Sequence, residues 1–419
     1  MDEREALQRR TLRVLVAAQV LGGLGQSGAA AGALLAMDLT GKESLASLPL
    51  ALLVVGSAAT VVPISALSRR AGRRVGLTTA LAAAAAGAAG IVAAGELGSF
   101  ALLLGASVIF GAGNTAVMLA RYAAADLSTP AERGRAIGRV VFATTFGAVA
   151  GPNLLEPAGR LATSLGLPEL TGLYLCSAAA LTLAALLLTV FLRPDPLIIA
   201  AQIEASIAPE DAPEPPYVPL RTLLSPPAAV SGIATMVVAN FVMVAVMAMA
   251  PVHIHDQGHG LQFVGFVVSL HIAGMFAPAP LTGWLTDRLG PLPIAFAGTG
   301  LLIVAGVLTA AAGHGAVPLT LGLTLLGVGW NASLIAGSTL LASAVPVVQR
   351  PRAEGIGELS MGITAASATA VAGPVVGLAG YATLAVAAAA AAAALGPLLI
   401  AVARRGLPAQ PVPATRLLT

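Results

Sequence analysis

The chain has 419 residues, of which 57% are hydrophobic and only 10% are charged, and its mean hydropathy is +0.89. A soluble domain carries about 25% charged residues, so this composition excludes an ordinary soluble protein and indicates one embedded in a membrane. The net charge of +3 does not indicate a nucleic-acid partner, because the arginines lie in short segments between apolar runs. The single cysteine, Cys176, excludes an intrachain disulfide.

Apolar runs of about 20 residues, each long enough to cross the hydrocarbon core of a bilayer, recur along the whole chain. The sequence therefore predicts an all-α membrane protein with twelve transmembrane helices. The predicted spans are 12–37, 45–67, 74–95, 98–121, 136–160, 171–192, 227–252, 262–286, 292–312, 317–345, 355–378 and 380–403.

The basic residues predict the orientation of these spans. All lysines and arginines except Lys42 and Arg160 fall in one alternating set of connections. The positive-inside rule then places both termini in the cytoplasm, and we expect a multi-pass protein of the bacterial cytoplasmic (inner) membrane. Such a clean division also supports an even number of spans.

A proline- and acid-rich segment divides the chain. Residues 193–226 predict a cytoplasmic linker between a six-helix bundle at 1–192 and a second at 227–419, which ends in a short cytoplasmic tail. The halves echo each other: residues 65–74 follow the second span, and residues 283–290 follow the eighth with a similar pattern. Such half-chain repeats are typical of transporters built from two pseudo-symmetric bundles.

The second of these segments, Gly283-Trp-Leu-Thr-Asp-Arg-Leu-Gly290, is similar to the loop signature G-x-L-x-D-R-x-G of the major facilitator superfamily. The resemblance covers nearly the whole chain. It implies the major facilitator fold, alternating access between two halves and a monomeric carrier. Ser65 and Arg69 replace the glycine and the acid in the first copy, so Asp287 is expected to serve alone. The residues implied for this conformational loop are Gly283, Asp287, Arg288 and Gly290.

Two further segments resemble motifs of these carriers. Arg121 and Asp126 lie at the end of the fourth span. Two roles are open for Arg121: a local ion pair with Asp126, or an anchor at the membrane edge. The glycines from Gly138 through Gly147 to Gly151-Pro152 resemble the fifth-helix motif of antiporters. Its usual closing glycine pair is missing, so close helix packing is the favoured role.

Four side chains form the candidate substrate site. Met243 and Met247 share one face of the seventh span, and His271 and Met275 share one face of the eighth, because residues four apart are neighbours on a helix. Thioether and imidazole ligands suit Cu(I). The spans are antiparallel, and both Met243 and His271 lie about nine residues, or ~14 Å, from the outer turn. A ladder of soft ligands is predicted, entered from the turn that carries His253, His255 and His259.

This pattern resembles the CcoA-like copper importers, a branch of the superfamily whose signature is M-x-x-x-M followed by H-x-x-x-M in the seventh and eighth helices. The resemblance implies that the four residues bind copper as the transported substrate, with no resident cofactor. Related members of the branch carry riboflavin. The alternative is therefore a carrier of a small organic solute, either a riboflavin-like vitamin importer or a drug–proton antiporter. A non-transporting membrane receptor is a third hypothesis.

Other polar side chains lie within the spans. Asp38 and Glu156 are candidates for proton coupling, since a carboxyl group at membrane depth favours its protonated form; the alternative places both in the headgroup region. The sequence contains no Ser-His-Asp order, phosphate loop or cysteine cluster, so we do not expect an enzyme. The candidate cavity-lining residues are Gln19, Gln26, Asn114, Asn240 and Asn331.

Overall fold

The computed structural model describes residues 3–42, 45–207, 219–258 and 260–405. These residues form helices joined by short turns, with no strand among them, so the all-α prediction is confirmed. Ten helical stretches of the described chain are long and apolar enough to cross a membrane. The last of them, Val347–Arg404, holds two predicted spans.

Six long helices make up the first half, and all but the fifth are among the ten stretches that are long and apolar enough to cross a membrane. The fourth and fifth are each interrupted once, and the first continues as short helices at Ser27–Ala31 and Gly32–Thr40. The bounds are α1 Glu3–Gly25, α2 Leu48–Ala71, α3 Arg73–Glu96, α4 Phe100–Phe110 with Ala112–Ala125, α5 Arg133–Asn153 with Leu155–Ser164, and α6 Gly172–Phe191.

The second half repeats this arrangement. Gly380 separates its last two helices, because its φ of +83° is a left-handed value that favours glycine. The bounds are α7 Pro227–Asp256, α8 Leu261–Phe276 with Ala279–Leu289, α9 Pro291–Ala311, α10 Ala316–Ala344, α11 350–379, and α12 381–393 continuing as Gly396–Arg405.

The described part of the segment between the halves contains a helix that the sequence did not predict. A helix at Pro196–Ile207, here called the linker helix, packs Leu197 and Ala200 against Leu127 and Val347. Asp195 caps its start by accepting hydrogen bonds from the Leu197 and Ile198 amides at 3.0 and 3.4 Å. An acid followed by proline is a helix-start signal, and the prediction of a linker over 193–226 did not use it. The division into two domains at this segment stays a prediction.

We call the end of the bundle that carries the linker helix the linker face, and the other end the far face. The halves meet where α2 packs against α11 and α5 packs against α8. Close approach of α5 depends on glycine: a Cβ at Gly138 would lie 2.3 Å from the Ala279 carbonyl oxygen, and one at Gly147 only 2.1 Å from the Gly23 carbonyl carbon. These positions support the packing role predicted for the fifth-helix glycines.

Gly147→Ala tests this packing. The added methyl group would overlap the α1 backbone, and overpacking of this kind costs about 1–3 kcal/mol. We expect a lower thermal unfolding temperature for the detergent-purified protein. Gly105→Ala is the matched control, because no atom lies within 4 Å of a Cβ at that position, and it should leave the temperature equal or raise it slightly. Equal temperatures for Gly147→Ala and the parent would contradict the packing role.

Candidate functional site: an ion-pair network between the halves

Four charged side chains form a buried cluster near the linker face. Arg73, at the start of α3, lies between two acids: its Nε is 2.7 Å from Asp126 Oδ2, and two of its guanidinium nitrogens are 2.7 and 3.0 Å from the carboxylate oxygens of Glu354. Arg350 Nη1 lies 3.8 Å from Asp126 Oδ1. All four side chains are at most 5% exposed. Two positive and two negative charges make the cluster neutral.

This cluster joins the two halves of the chain. Arg73 and Asp126 belong to the first half, whereas Arg350 and Glu354 belong to α11 in the second. A buried charge is tolerated only when it is paired, and removing one partner of such a pair costs about 3–5 kcal/mol. Separation of the halves at the linker face must therefore bring water to these charges. The conformation described here is closed at that face.

A second ion pair lies beside the cluster. Arg121 of α4 forms an ion pair with Glu358 of α11, donates from Nε to Ser338 Oγ at 2.9 Å and places its guanidinium carbon 4.5 Å from the centre of the Tyr122 ring. The Tyr122 hydroxyl lies 3.3 Å from the same Glu358 oxygen. This pair also crosses between the halves.

The local pair of Arg121 with Asp126 that the sequence left open does not form. Residues five apart on a helix point about 140° apart, so the two side chains leave α4 in different directions. Arg121 reaches Glu358, whereas Asp126 reaches Arg73 and Arg350. The membrane-edge anchor is also wrong for Arg121, since its side chain is only 1% exposed.

The conformational loop makes a third contact between the halves. Asp287 accepts hydrogen bonds from the Gly134 and Arg135 amides, at 2.7 and 3.0 Å, at the start of α5. A helix N-terminus offers unpaired amides and a partial positive charge to such a carboxylate. Gly283 is required here because a Cβ would lie 2.3 Å from the Gly134 carbonyl oxygen.

The other loop residues complete the turn into α9. Arg288 stacks over the Trp284 ring at 5.2 Å, and Gly290 adopts a φ of +91°. In the first half, Arg69 replaces the acid of the loop. A second carboxylate, Glu204 of the linker helix, accepts a hydrogen bond from the Val347 amide at 3.1 Å, in the short helix Val347–Gln349 that precedes α11. Unlike Asp287, Glu204 lies outside the repeated segment.

Three of the four predicted copper ligands pack against one apolar cluster in the second half. His271 is 2% exposed, and its Nδ1 donates to the Leu323 carbonyl of α10 at 2.8 Å, which orients the ring towards α10. Helix α7 packs on α10 and α11, α8 packs on α10 and α5, and α7 and α8 also contact each other. Met243, Met247 and Met275 are half-buried and pack against the apolar core of the second half. Their role as copper ligands stays a prediction.

The predicted entrance histidines have different surroundings. His253 stacks on Tyr381 of α12, with ring centres 4.2 Å apart, and its Nε2 lies 2.8 Å from Gln257 Nε2. His255 is exposed, and His259 lies outside the described residues. Within the described chain, no group of three or more histidine, cysteine or acidic side chains is placed to hold a metal.

Most of the predicted cavity-lining residues bridge helices. Gln19 donates to Thr144 Oγ1 at 2.9 Å, Asn240 to the Met361 carbonyl at 2.9 Å, and Asn331 to the Met275 carbonyl at 2.7 Å. Half-buried Asn114 donates to Ser57 Oγ at 2.9 Å. Gln26 packs against Gly113, and its Nε2 is buried with no hydrogen-bond partner among the described residues.

The predicted proton-coupling acids are both exposed. Asp38 lies at the far-face end of the first span. Glu156 pairs with Arg160 at 3.1 Å, and its side chain is 78% exposed. Neither is enclosed by other helices, and their role in proton coupling stays a prediction. The buried carboxylates that the sequence analysis overlooked are Glu354 and Glu358, and their presence at the start of an apolar span was the available signal.

Comparison with known proteins identifies the class. The sequence profile of the Major Facilitator Superfamily matches residues 15–330, and the chain belongs to this superfamily. Two MFS-type transporters of Bacillus subtilis (strain 168) are each 36% identical: YddS over 411 residues, 96% of this chain and 93% of its own length, and YdeG over 401 residues, 95% and 93%. The chain is therefore a membrane transporter and not an enzyme.

A third relative and two solved structures extend this result. The riboflavin transporter RfnT of Brucella anthropi is 29% identical over 388 residues, 90% of this chain and 91% of its own length. The proton:xylose symporter XylE has a TM-score of 0.76 at 15% identity, covering 95% of this chain and 96% of that one. The human organic anion transporter MFSD10 has 0.74 at 18%, covering 94% and 99%. The two structures confirm the fold; membership of the CcoA-like branch stays a prediction.

Glu358→Gln tests the linker-face contact. It leaves the Arg121 charge buried without a counter-charge, which costs the closed conformation about 3–5 kcal/mol and favours one in which water reaches Arg121. We expect spin labels at positions 70 and 289, in a Cys176→Ser background, to show longer distances by double electron–electron resonance. Glu3→Gln, which removes an exposed acid of the same face, is the matched control. Identical distance distributions for Glu358→Gln and the parent would refute the gating role.

Proposed function

We propose that the protein is an alternating-access carrier of a small organic solute, with the Arg73–Glu354 and Arg121–Glu358 ion pairs as its gate at the linker face. The single observation that carries this proposal is that both pairs are buried and both join the first half to α11. We place the linker face in the cytoplasm, on the evidence of its arginines.

The energetics of such pairs suit a gate. Attraction between the charges is strong in a low-dielectric interior, yet burial costs each charge several kcal/mol of hydration, so the net balance is small. The closed and open conformations can then lie close in free energy. A bound solute shifts this balance only by the difference between its affinities for the two conformations.

One relative supports the substrate class of this proposal. The 29% identity to RfnT over 90% of the chain supports an organic solute, with a riboflavin-like vitamin as the first candidate. Of the two hypotheses that the sequence raised, the organic solute is therefore favoured over copper.

Uptake into vesicles reconstituted with the purified protein tests this proposal. We expect riboflavin to accumulate above the level of empty vesicles, and Glu358→Gln to lower the rate by about 10-fold or more, as a penalty above about 1.4 kcal/mol requires. The Met243→Leu, Met247→Leu double variant should transport riboflavin at the parent rate. Glu3→Gln again serves as the control.

Radioactive copper supplies the opposing arm of the experiment. Copper uptake that is abolished by Met243→Ala or His271→Ala, with riboflavin at the level of empty vesicles, would refute the organic-solute proposal and restore the copper hypothesis. A correctly folded variant is shown by its elution volume in size-exclusion chromatography.

A further inference from the structure

A cavity of about 500 Å³ opens on the linker face between α1 and α5. It lies outside the ion-pair network, in the first half of the chain. Four arginines and two acids provide its charged lining, half of them from each helix. These are Glu5, Arg9 and Arg13 of α1, and Glu132, Arg135 and Arg139 at the start of α5.

The charges of this cavity are not balanced within the protein. Glu5 is occupied by an ion pair with Arg9. Arg13 and Arg139 are exposed and form no ion pair among the described residues. Arginines from two helices therefore face one space, an arrangement that attracts an anion and suits bidentate binding of a phosphate.

Gln8 adds a second requirement. Its side chain is only 8% exposed, and its Nε2 donates to the Ala124 carbonyl and to Ser128 Oγ at 2.8 and 2.7 Å. Its Oε1 is buried without a hydrogen-bond partner in the described structure. A buried acceptor left unpaired costs about 1–3 kcal/mol, so the cavity favours a ligand that also brings a donor, such as a hydroxyl group.

The remaining lining indicates where the ligand comes from. Leu12, Val16 and Ala136 complete the wall, and on α1 the apolar pair lies farther from the helix start than Glu5 and Arg9. The wall thus combines charged and apolar side chains, as the headgroup and the adjoining acyl chains of a phospholipid require. Juxtamembrane arginines are known to attract anionic lipids.

We propose that this cavity binds the headgroup of an anionic phospholipid that carries hydroxyl groups, of the phosphatidylglycerol type. The phosphodiester lies between Arg13 and Arg139, and a headgroup hydroxyl donates to Gln8 Oε1. Arg135 lines the same cavity, and its Nε is 3.5 Å from Asp287 Oδ2 across the halves. Bound lipid therefore competes for an arginine of the linker-face contact, which makes the gate sensitive to the composition of that leaflet.

Lipid competition on the full-length protein tests this site. The purified carrier in phosphatidylcholine nanodiscs, with fluorescent phosphatidylglycerol as the probe, should prefer phosphatidylglycerol to phosphatidylcholine. The Arg13→Gln, Arg139→Gln double variant should weaken that preference by about fivefold per arginine. The control is Arg10→Gln, Arg70→Gln, which removes two exposed arginines of the same face outside the cavity and should keep the preference.

The other outcomes overturn specific parts of the proposal. An equal loss in the control variant would show attraction by general surface charge and refute the site. Complete displacement by millimolar inorganic phosphate would show an anion site with no lipid specificity. Phosphatidic acid, which has no headgroup hydroxyl, should bind the parent protein less tightly than phosphatidylglycerol, and Gln8→Met should abolish that difference. If the parent protein binds the two lipids equally tightly, the role of Gln8 is refuted. None of these measurements depends on the transported solute.

Discussion

Buried ion pairs between the two halves are the constraint on which the rest of this structure depends. Arg73, Asp126, Arg350 and Glu354 form a neutral set, and Arg121 with Glu358 forms another. Because a charge without its partner is costly in an apolar interior, these pairs hold α3 and α4 against α11 and close the linker face. The Asp287 contact with the start of α5 acts on the other side of the same interface. Release of one contact exposes the others to water, so the contacts are expected to open together.

The same interface explains the type and the contacts of the residues around it. Gly134, Gly138 and Gly283 have no side chain because α5 and α8 meet backbone to backbone. The linker helix contacts both halves, through Leu127 on one side and Val347 on the other. The arginine-lined cavity shares Arg135 with the interface. Lipid, linker and gate thus converge on one face of the protein.

The polar groups within the spans show how different their roles are. His271, Asn240 and Asn331 each satisfy a carbonyl on a neighbouring helix, which is the usual use of a polar side chain between transmembrane helices. Glu354 and Glu358 instead pair with arginines from the other half. The sequence indicates a membrane depth and a helical spacing for each of these residues. Neither property distinguishes a residue that bridges two helices from one that forms a gate or binds a ligand.

The sequence by itself determined the all-helical membrane fold. The length of each apolar run and the distribution of arginines decide insertion into a bilayer without any contact between distant parts of the chain. The Gly283–Gly290 loop likewise identified the superfamily. Partner choice was decided only by the tertiary structure: the sequence placed Arg121 near Asp126, whereas packing paired Arg121 with Glu358, 237 residues away. The i,i+4 spacing put His271 and Met275 on one face of α8, but the direction of that face depends on how α8 lies on α10. Such contacts arise from the docking of whole helices, and no pattern within one helix contains them.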